Sequence, residues 1–197
     1  MSTILDSLFG SIFGGRPDIE RMKLSRDVEG LRICLADRYD VTLRRRAAFA
    51  IGLMRDPWAV SSLVESLKDE DAEARRGAAW SLGIIGDTRA VEFLLQSMKD
   101  TDCEVRAFAA EALGRIGDSR AIEPLTSALK DESDPVRSLV EEALARLEQR
   151  QRARDKAVDK ETQAEVQDIV GVHKKQRKNS QHEESADELE DEVLTQC

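Results

Sequence analysis

Aromatic residues make up only 4% of this 197-residue chain, and it holds three cysteines and two histidines. Each scarcity excludes a class of protein. Cys34, Cys103 and Cys197 form no CxxC pair and cannot all bridge one another, so a disulfide framework is out and the reduced thiols of a cytoplasmic protein are expected. His173 and His182 both stand in a polar stretch near the C-terminus. That leaves no Ser-His-Asp or Cys-His pair and no histidine ligand set within the part that carries apolar patterning. No apolar run reaches roughly 18 residues, which excludes a helical membrane span. A formal net charge of −9 argues against generic nucleic-acid binding, which draws on a basic surface. No glycine-rich loop follows a strand pattern. Neither a catalytic residue, a metal nor a cofactor is expected.

What is present is a repeat. Asp69, Asp71, Arg75, Ala78, Ala79, Leu82, Gly83, Gly86 and Asp87 recur 31 residues later as Asp100, Asp102, Arg106, Ala109, Ala110, Leu113, Gly114, Gly117 and Asp118. Mixed chemistry at fixed offset marks an internal repeat. One unit earlier the pattern holds Arg44, Ala47, Ala48, Gly52 and Asp56. One unit later it holds Asp131, Arg137, Leu144 and Leu147, with Ala145 and Glu148 where the glycines were. Within a unit Val91, Leu94, Leu95 and Met98 recur at helical spacing, then Val105, Ala109, Leu113 and Ile116 do the same. Each unit therefore reads as two helices of about 10–12 residues. Asp71 and Asp102 are placed as N-caps, and Gly86 and Gly117 stand where a helix stops with positive φ. One helix pair cannot cover its own apolar face, so the units must stack. The expected fold is all-α, an α-solenoid of about four two-helix repeats: 27–55, 56–86, 87–117 and 118–148.

The run from Asp100 to Arg106, the alanine pair and the LGxIGD run at Leu113–Asp118 resemble the HEAT-repeat superfamily, in particular its short phycobilisome-lyase type. The resemblance covers residues 27–148. It implies a solenoid whose second helices line the concave side, in a family that spans scaffolds, lyase subunits and a hydroxylase. The hydroxylases of that kind hold iron through several His-Glu pairs on their helices. The sole His-Glu here is His182-Glu183, outside the repeats, so that activity does not carry over.

Residues 1–26 comprise an amphipathic segment, a hinge at Gly14-Gly15-Arg16-Pro17 and a short helix over Asp18–Leu24. Ile4, Leu5, Leu8, Phe9, Ile12 and Phe13 share one face. The preferred reading is a cap folded onto the first repeat, and the alternative is a segment (4–13) that docks on a partner or a membrane surface. Residues 149–170 read as a charged helical extension. Residues 171–197 read as a disordered tail, basic at Lys174, Lys175, Arg177 and Lys178 and acidic thereafter.

Two sets of residues stand out inside the array. Arg44, Arg75, Arg106 and Arg137 each follow a loop position by six residues; Asp69, Asp100 and Asp131 fill it in later units and Arg38 stands there in the first. The preferred reading is an arginine–aspartate ladder running along the array. The second set faces away from the core on the second helices, at about 100° per residue. It comprises Thr42, Arg45, Phe49 and Leu53, then Glu73, Arg76, Trp80 and Ile84, then Glu104, Ala107, Glu111 and Arg115. Phe49 and Trp80 should be neighbours there, rimmed by Arg45, Arg46 and Arg76. Exposed Trp beside Arg is the composition of a protein-binding hot spot. The expectation is an adaptor or assembly scaffold that binds a protein, acidic groups being steered by Arg46. The alternative is an enzyme subunit or lyase-like protein holding a small ligand, such as a tetrapyrrole, in the same groove. A third reading has the N-terminal segment lying on this patch.

Overall fold

The computed structural model of the chain describes residues 17–163, and among these all regular structure is helical. The segment 4–13, the tail 171–197 and both histidines lie outside the described residues. Helices α1 to α8 are Ile19–Ser25, Val28–Leu35, Val41–Met54, Val60–Ser66, Ala72–Ile85, Val91–Ser97, Cys103–Ile116 and Ile122–Ala128. Residues 134–149 form α9, the last helix of a compact unit that ends at Gln149. Residues 150–163 belong to a second unit and are helical and exposed throughout.

The two helices of a repeat are unequal, contrary to the uniform length expected from their apolar patterns. The second helices α3, α5 and α7 each run 14 residues, whereas α4, α6 and α8 run 7. Capping explains both. Asp71 accepts the Ala74 amide at 2.9 Å, and the helix then runs until Gly86 turns left-handed at φ 78°. Asp102 and Gly117 frame α7 in the same way. On the other helix of each repeat, Asp56, Asp87 and Asp118 accept the amide two residues on, at Trp58, Arg89 and Arg120. That geometry closes a 3-10 turn, Pro57–Ala59, Thr88–Ala90 or Ser119–Ala121, before the α-helix begins. Part of the apolar pattern is spent on that turn.

The core repeats with the sequence. Leu31, Leu63, Leu94 and Leu125 from the first helices and Ile51, Leu82 and Leu113 from the second are fully buried in one continuous cluster. Each such side chain contributes about 2 kcal/mol on leaving water. Between second helices the approach is closer still. A Cβ on Gly83 would lie 2.7 Å from Ala112 Cα, and one on Gly114 would lie 2.6 Å from Ala143 Cα. The recurrent glycine therefore lets one backbone rest on the next. First helices touch one another far less than second helices do. The side of the second helices turned away from this core forms the other face of that layer. Helix α1 closes the N-terminal end by laying Ile19 and Met22 on α2 and α3.

Candidate interaction surface

Arginines tie each repeat to the next. Arg44 donates from Nε and Nη2 to the two carboxylate oxygens of Asp69 at 2.6 and 2.9 Å. Arg75 does the same to Asp100 at 2.8 and 2.9 Å, and Arg106 to Asp131 at 2.9 Å for both bonds. The third nitrogen of each reaches back to its own loop, where Asp37, Asp69 and Asp100 carbonyls accept. Each carboxylate also accepts the amide two residues on, at Asp71, Asp102 and Ser133. Burial is the largest influence on the Asp69 and Asp100 carboxyls and pulls them up, but the arginine bonds, the Asp71 and Asp102 amides and the arginine charges together outweigh it and hold both below the ordinary value. Asp131 is lowered chiefly by Arg106.

One assignment is corrected. Arg38 does not occupy the acid's place in the first unit; Asp37 does. Its carboxylate accepts the Tyr39 and Asp40 amides at 2.8 and 2.7 Å, and its carbonyl takes Arg44 Nη1 at 3.0 Å. The loop before α3 is one residue longer, which displaces the acid from the six-residue spacing. Arg137, at the far end, donates to the Asp131 carbonyl at 2.5 Å and pairs with Asp134 on its own helix.

Phe49 on α3 and Trp80 on α5 lie side by side with ring centroids 5.3 Å apart and planes tilted by 52°. Both rings are half-buried. Gly77 makes room: its missing Cβ would stand 3.2 Å from Phe49 Cε2. The three rim arginines separate by role. Arg45 forms a bidentate pair with Asp71 at 2.7 and 2.6 Å and reaches Glu73 at 3.3 Å. Its hydrogen bonds hold the Asp71 carboxyl down at about 2. Arg76 pairs with Glu104 and, at 3.5 Å, with Glu73, while its guanidinium lies 5.8 Å from the Phe108 ring centre. Arg46 is exposed, and no described residue pairs with it. The charges of Arg45 and Arg76 are therefore met from within, and Arg46 is the rim cation left for solvent.

Phe108 extends this surface and is missing from the sequence reading. It stands in register with Gly77 rather than with Phe49 and Trp80, so a row taken at constant offset passes it by. Elsewhere, Glu29, Arg32, Ile33, Ser62, Glu65 and Asp69 border an open depression of about 400 Å³ between α2 and α4, on the first-helix layer and apart from the aromatic pair. Among the described residues, no group of three or more His, Cys, Asp and Glu is placed to hold a metal ion, and no helix is long and apolar enough to cross a membrane.

The family model described as HEAT repeats matches twice, over residues 28–102 and 91–167. The chain belongs to the HEAT-repeat family. No curated protein matches it in sequence. Among solved structures, this HEAT-repeat chain is similar to the complex of CpcE and CpcF of phycocyanin lyase from Nostoc sp. PCC7120, at 28% identity and a TM-score of 0.59 over 66% of this chain and 56% of that one. It is also similar to human deoxyhypusine hydroxylase in complex with glycerol, at 29% identity and a TM-score of 0.57, covering 68% of this chain and 48% of the other. A designed armadillo repeat protein in complex with the peptide (KR)4 shares the fold at 18% identity, with a TM-score of 0.54 over 66% of this chain and 67% of the design. The chain spans about half the length of the first two.

Proposed function

We propose that this HEAT-repeat chain is a protein–protein interaction module, an adaptor or assembly scaffold, that seats a partner on the second-helix face of its first two repeats. The Phe49–Trp80 pair carries this reading: two half-buried rings in contact on the second-helix face of a stack whose other aromatic residues are few. The matching position one repeat on is Glu111, a half-buried carboxylate bonded to Arg115 on its own helix at 2.8 Å, so the aromatic pair does not continue along the array. Aromatic side chains give the largest binding energy per residue when a partner excludes water from them. Phe49 and Trp80 act as anchors and Arg46 steers an acidic group of the partner. Arg45 and Arg76 frame the rings while remaining bound to Asp71, Glu73 and Glu104.

Trp80→Glu tests the reading, with Ser61→Glu on the exposed side of α4 as the control. Affinity capture from the native lysate should lose its partner with the first variant and keep it with the second, while the melting temperatures of both stay within about 2 °C of the parent. A large fall in melting temperature for Trp80→Glu would instead assign the rings to the interior, under a segment of the chain itself.

The likeness to the phycocyanin lyase complex favours a second reading, a lyase-like subunit that holds a small ligand in the same groove. Visible absorption carried by the purified protein, and lost in Trp80→Glu, would support it over partner docking.

A further inference from the structure

Helix α1 fixes the place from which the chain upstream of it departs. Ala50 on α3 is in register with Ser81 and Ala112, the residues that meet Gly52 and Gly83 of the preceding second helix. No full repeat precedes α3, yet Ala50 is only 4% exposed. Helix α1, which packs on α2 and α3, therefore stands in the place of a second helix ahead of α3. The two end together, since Arg26 Nη2 donates to the Met54 carbonyl at 3.3 Å. Helix α1 has 7 residues where α3 has 14. Seven residues rise about 10 Å, so α1 begins level with the middle of α3, at the turn that carries Ala48 and Phe49. Asp18 caps it by accepting the Arg21 amide at 3.1 Å, with Pro17 just before. The helix starts there rather than running on, and the chain leaves the layer of second helices at that height. Because α2 lies against α1 on the first-helix side, the free face of the layer is the way out.

That face carries the aromatic pair. One turn beyond Phe49 and Trp80 on the same helices, and again 31 residues apart, stand Leu53, 56% exposed, and Ile84, half-buried. Residues four apart on a helix are surface neighbours, so α3 and α5 together present four apolar side chains in two rows. Glu111 and Arg115 hold the matching places on α7 and bond to each other, which ends the patch. Within residues 1–15, Ile4, Leu5, Leu8, Phe9, Ile12 and Phe13 share one face and Asp6 is the one charged side chain. Such a segment is close to neutral, so the protein's net charge of −9 does not repel it. The reach is sufficient. Gly14 to Pro17 extend to about 13 Å, and neighbouring helices lie about 8–10 Å apart. Residues 4–13 as a helix measure about 15 Å, enough to cross α3 and α5 over both rings.

We infer that residues 4–13 lie over the Phe49–Trp80 face as a tethered lid, which a partner displaces on docking. The inference deepens the docking reading of that face and rests on it. A short linker gives the segment an effective concentration of about 1 mM. A contact of millimolar strength then covers the rings about half the time, and a partner that binds in the micromolar range displaces it. The lid thus keeps water from the rings while the face is unoccupied and sets the affinity that a partner must exceed.

The test uses the 15N-labelled full-length chain with its two tryptophans as reporters: Trp80 under the lid and Trp58, 85% exposed, as the reference. Their indole N–H resonances are assigned with Trp58→Phe and Trp80→Phe. Leu8→Ser/Phe9→Ser removes apolar side chains from the lid alone. It should move the Trp80 resonance, while the Trp58 resonance and the circular dichroism spectrum stay as they were. A synthetic peptide of residues 1–15, with two added lysines for solubility, is then titrated into that variant. It should return the Trp80 resonance saturably toward its parent position, and the same peptide carrying both serines should not. The parent, whose own lid competes, should bind the first peptide about twofold more weakly than the variant does. A Trp80 resonance that stays in place in Leu8→Ser/Phe9→Ser would overturn the inference, and so would equal action of the two peptides. Docking of the segment on a bilayer would overturn it too: the parent but not the variant would sediment with phosphatidylcholine vesicles, with Trp80 unmoved by the substitution. The docking reading fails or stands separately. A lid without a partner site gives the Trp80 shifts but no captured protein that Trp80→Glu loses. A partner site without a lid gives that loss while Trp80 ignores Leu8→Ser/Phe9→Ser.

Discussion

Removing one rung of the arginine ladder tests how the repeats are joined. Arg75→Ala deletes two charge-assisted bonds to Asp100, at 2.8 and 2.9 Å, and two bonds to the Asp69 and Glu70 carbonyls, at 2.8 and 3.1 Å. The Asp100 carboxylate, 12% exposed, then keeps the Asp102 amide as its donor at 2.9 Å. Breaking a buried pair costs about 3–5 kcal/mol, because the remaining charge is stranded. This one is near the surface and water can reach part of it, so about 2–4 kcal/mol is expected. For a chain of this length that lowers the melting temperature by roughly 4–16 °C. Arg137→Ala is the internal comparison. Its guanidinium meets one loop carbonyl and the exposed Asp134, with no aspartate of a further repeat, so the loss should stay below about 1 kcal/mol. Urea denaturation of Arg75→Ala, Asp100→Ala and the double variant gives the coupling energy between the two side chains directly. A coupling under about 0.5 kcal/mol, or equal losses at Arg75 and Arg137, would refute a ladder that holds repeat to repeat.

Two more outcomes follow from the same geometry. Arg55→Gly relaxes a left-handed residue at φ 52° and should raise stability by about 1 kcal/mol in thermal or urea unfolding. Acid should unfold the protein through its aspartates: Asp71 is held down at about 2 by Arg45, and Asp69, Asp100 and Asp131 also lie below 3.8. Because the unfolded chain takes up these protons first, the stabilisation is complete above about pH 4. It is lost as pH falls toward about 2, so the urea midpoint should drop steeply in that window and stay level between pH 5 and 7.

The fold was legible because the chemistry that makes it recurs. Asp71 and Gly86, Asp102 and Gly117 start and stop helices by local hydrogen bonding and backbone preference, which need no tertiary context. The aspartates that close 3-10 turns are equally local, but Asp56, Asp87 and Asp118 sit beside the helix-ending position and look like part of the stop signal. Asp37 escaped because a single inserted residue breaks a fixed offset even when the loop geometry survives. Contacts between repeats were legible only when both partners kept register, as Phe49 and Trp80 do. Phe108 meets Arg76 from another row, and the end of α1 is tied to the end of α3 by one side chain, Arg26. A linear pattern carries no trace of that.

The end of the array shows why the glycine and the arginine belong to one device. Gly52 faces Ser81, Gly83 faces Ala112 and Gly114 faces Ala143, each too close to tolerate a Cβ without displacement. Every helix that carries such a glycine also carries an arginine reaching the next repeat's aspartate: Arg44 on α3, Arg75 on α5 and Arg106 on α7. In α9 the three features lapse together. Ala145 replaces the glycine and is exposed, Glu148 replaces the left-handed glycine so that the helix is not stopped there, and Arg137 turns to Asp134 on its own helix. A further repeat seated on α9 by the same contacts would meet the Ala145 methyl where the others meet bare backbone. Backbone contact between second helices and the ion pair at the loop are thus two halves of one joint. The joint leaves the outward row of the second helices unused, and that row is where Phe49 and Trp80 lie.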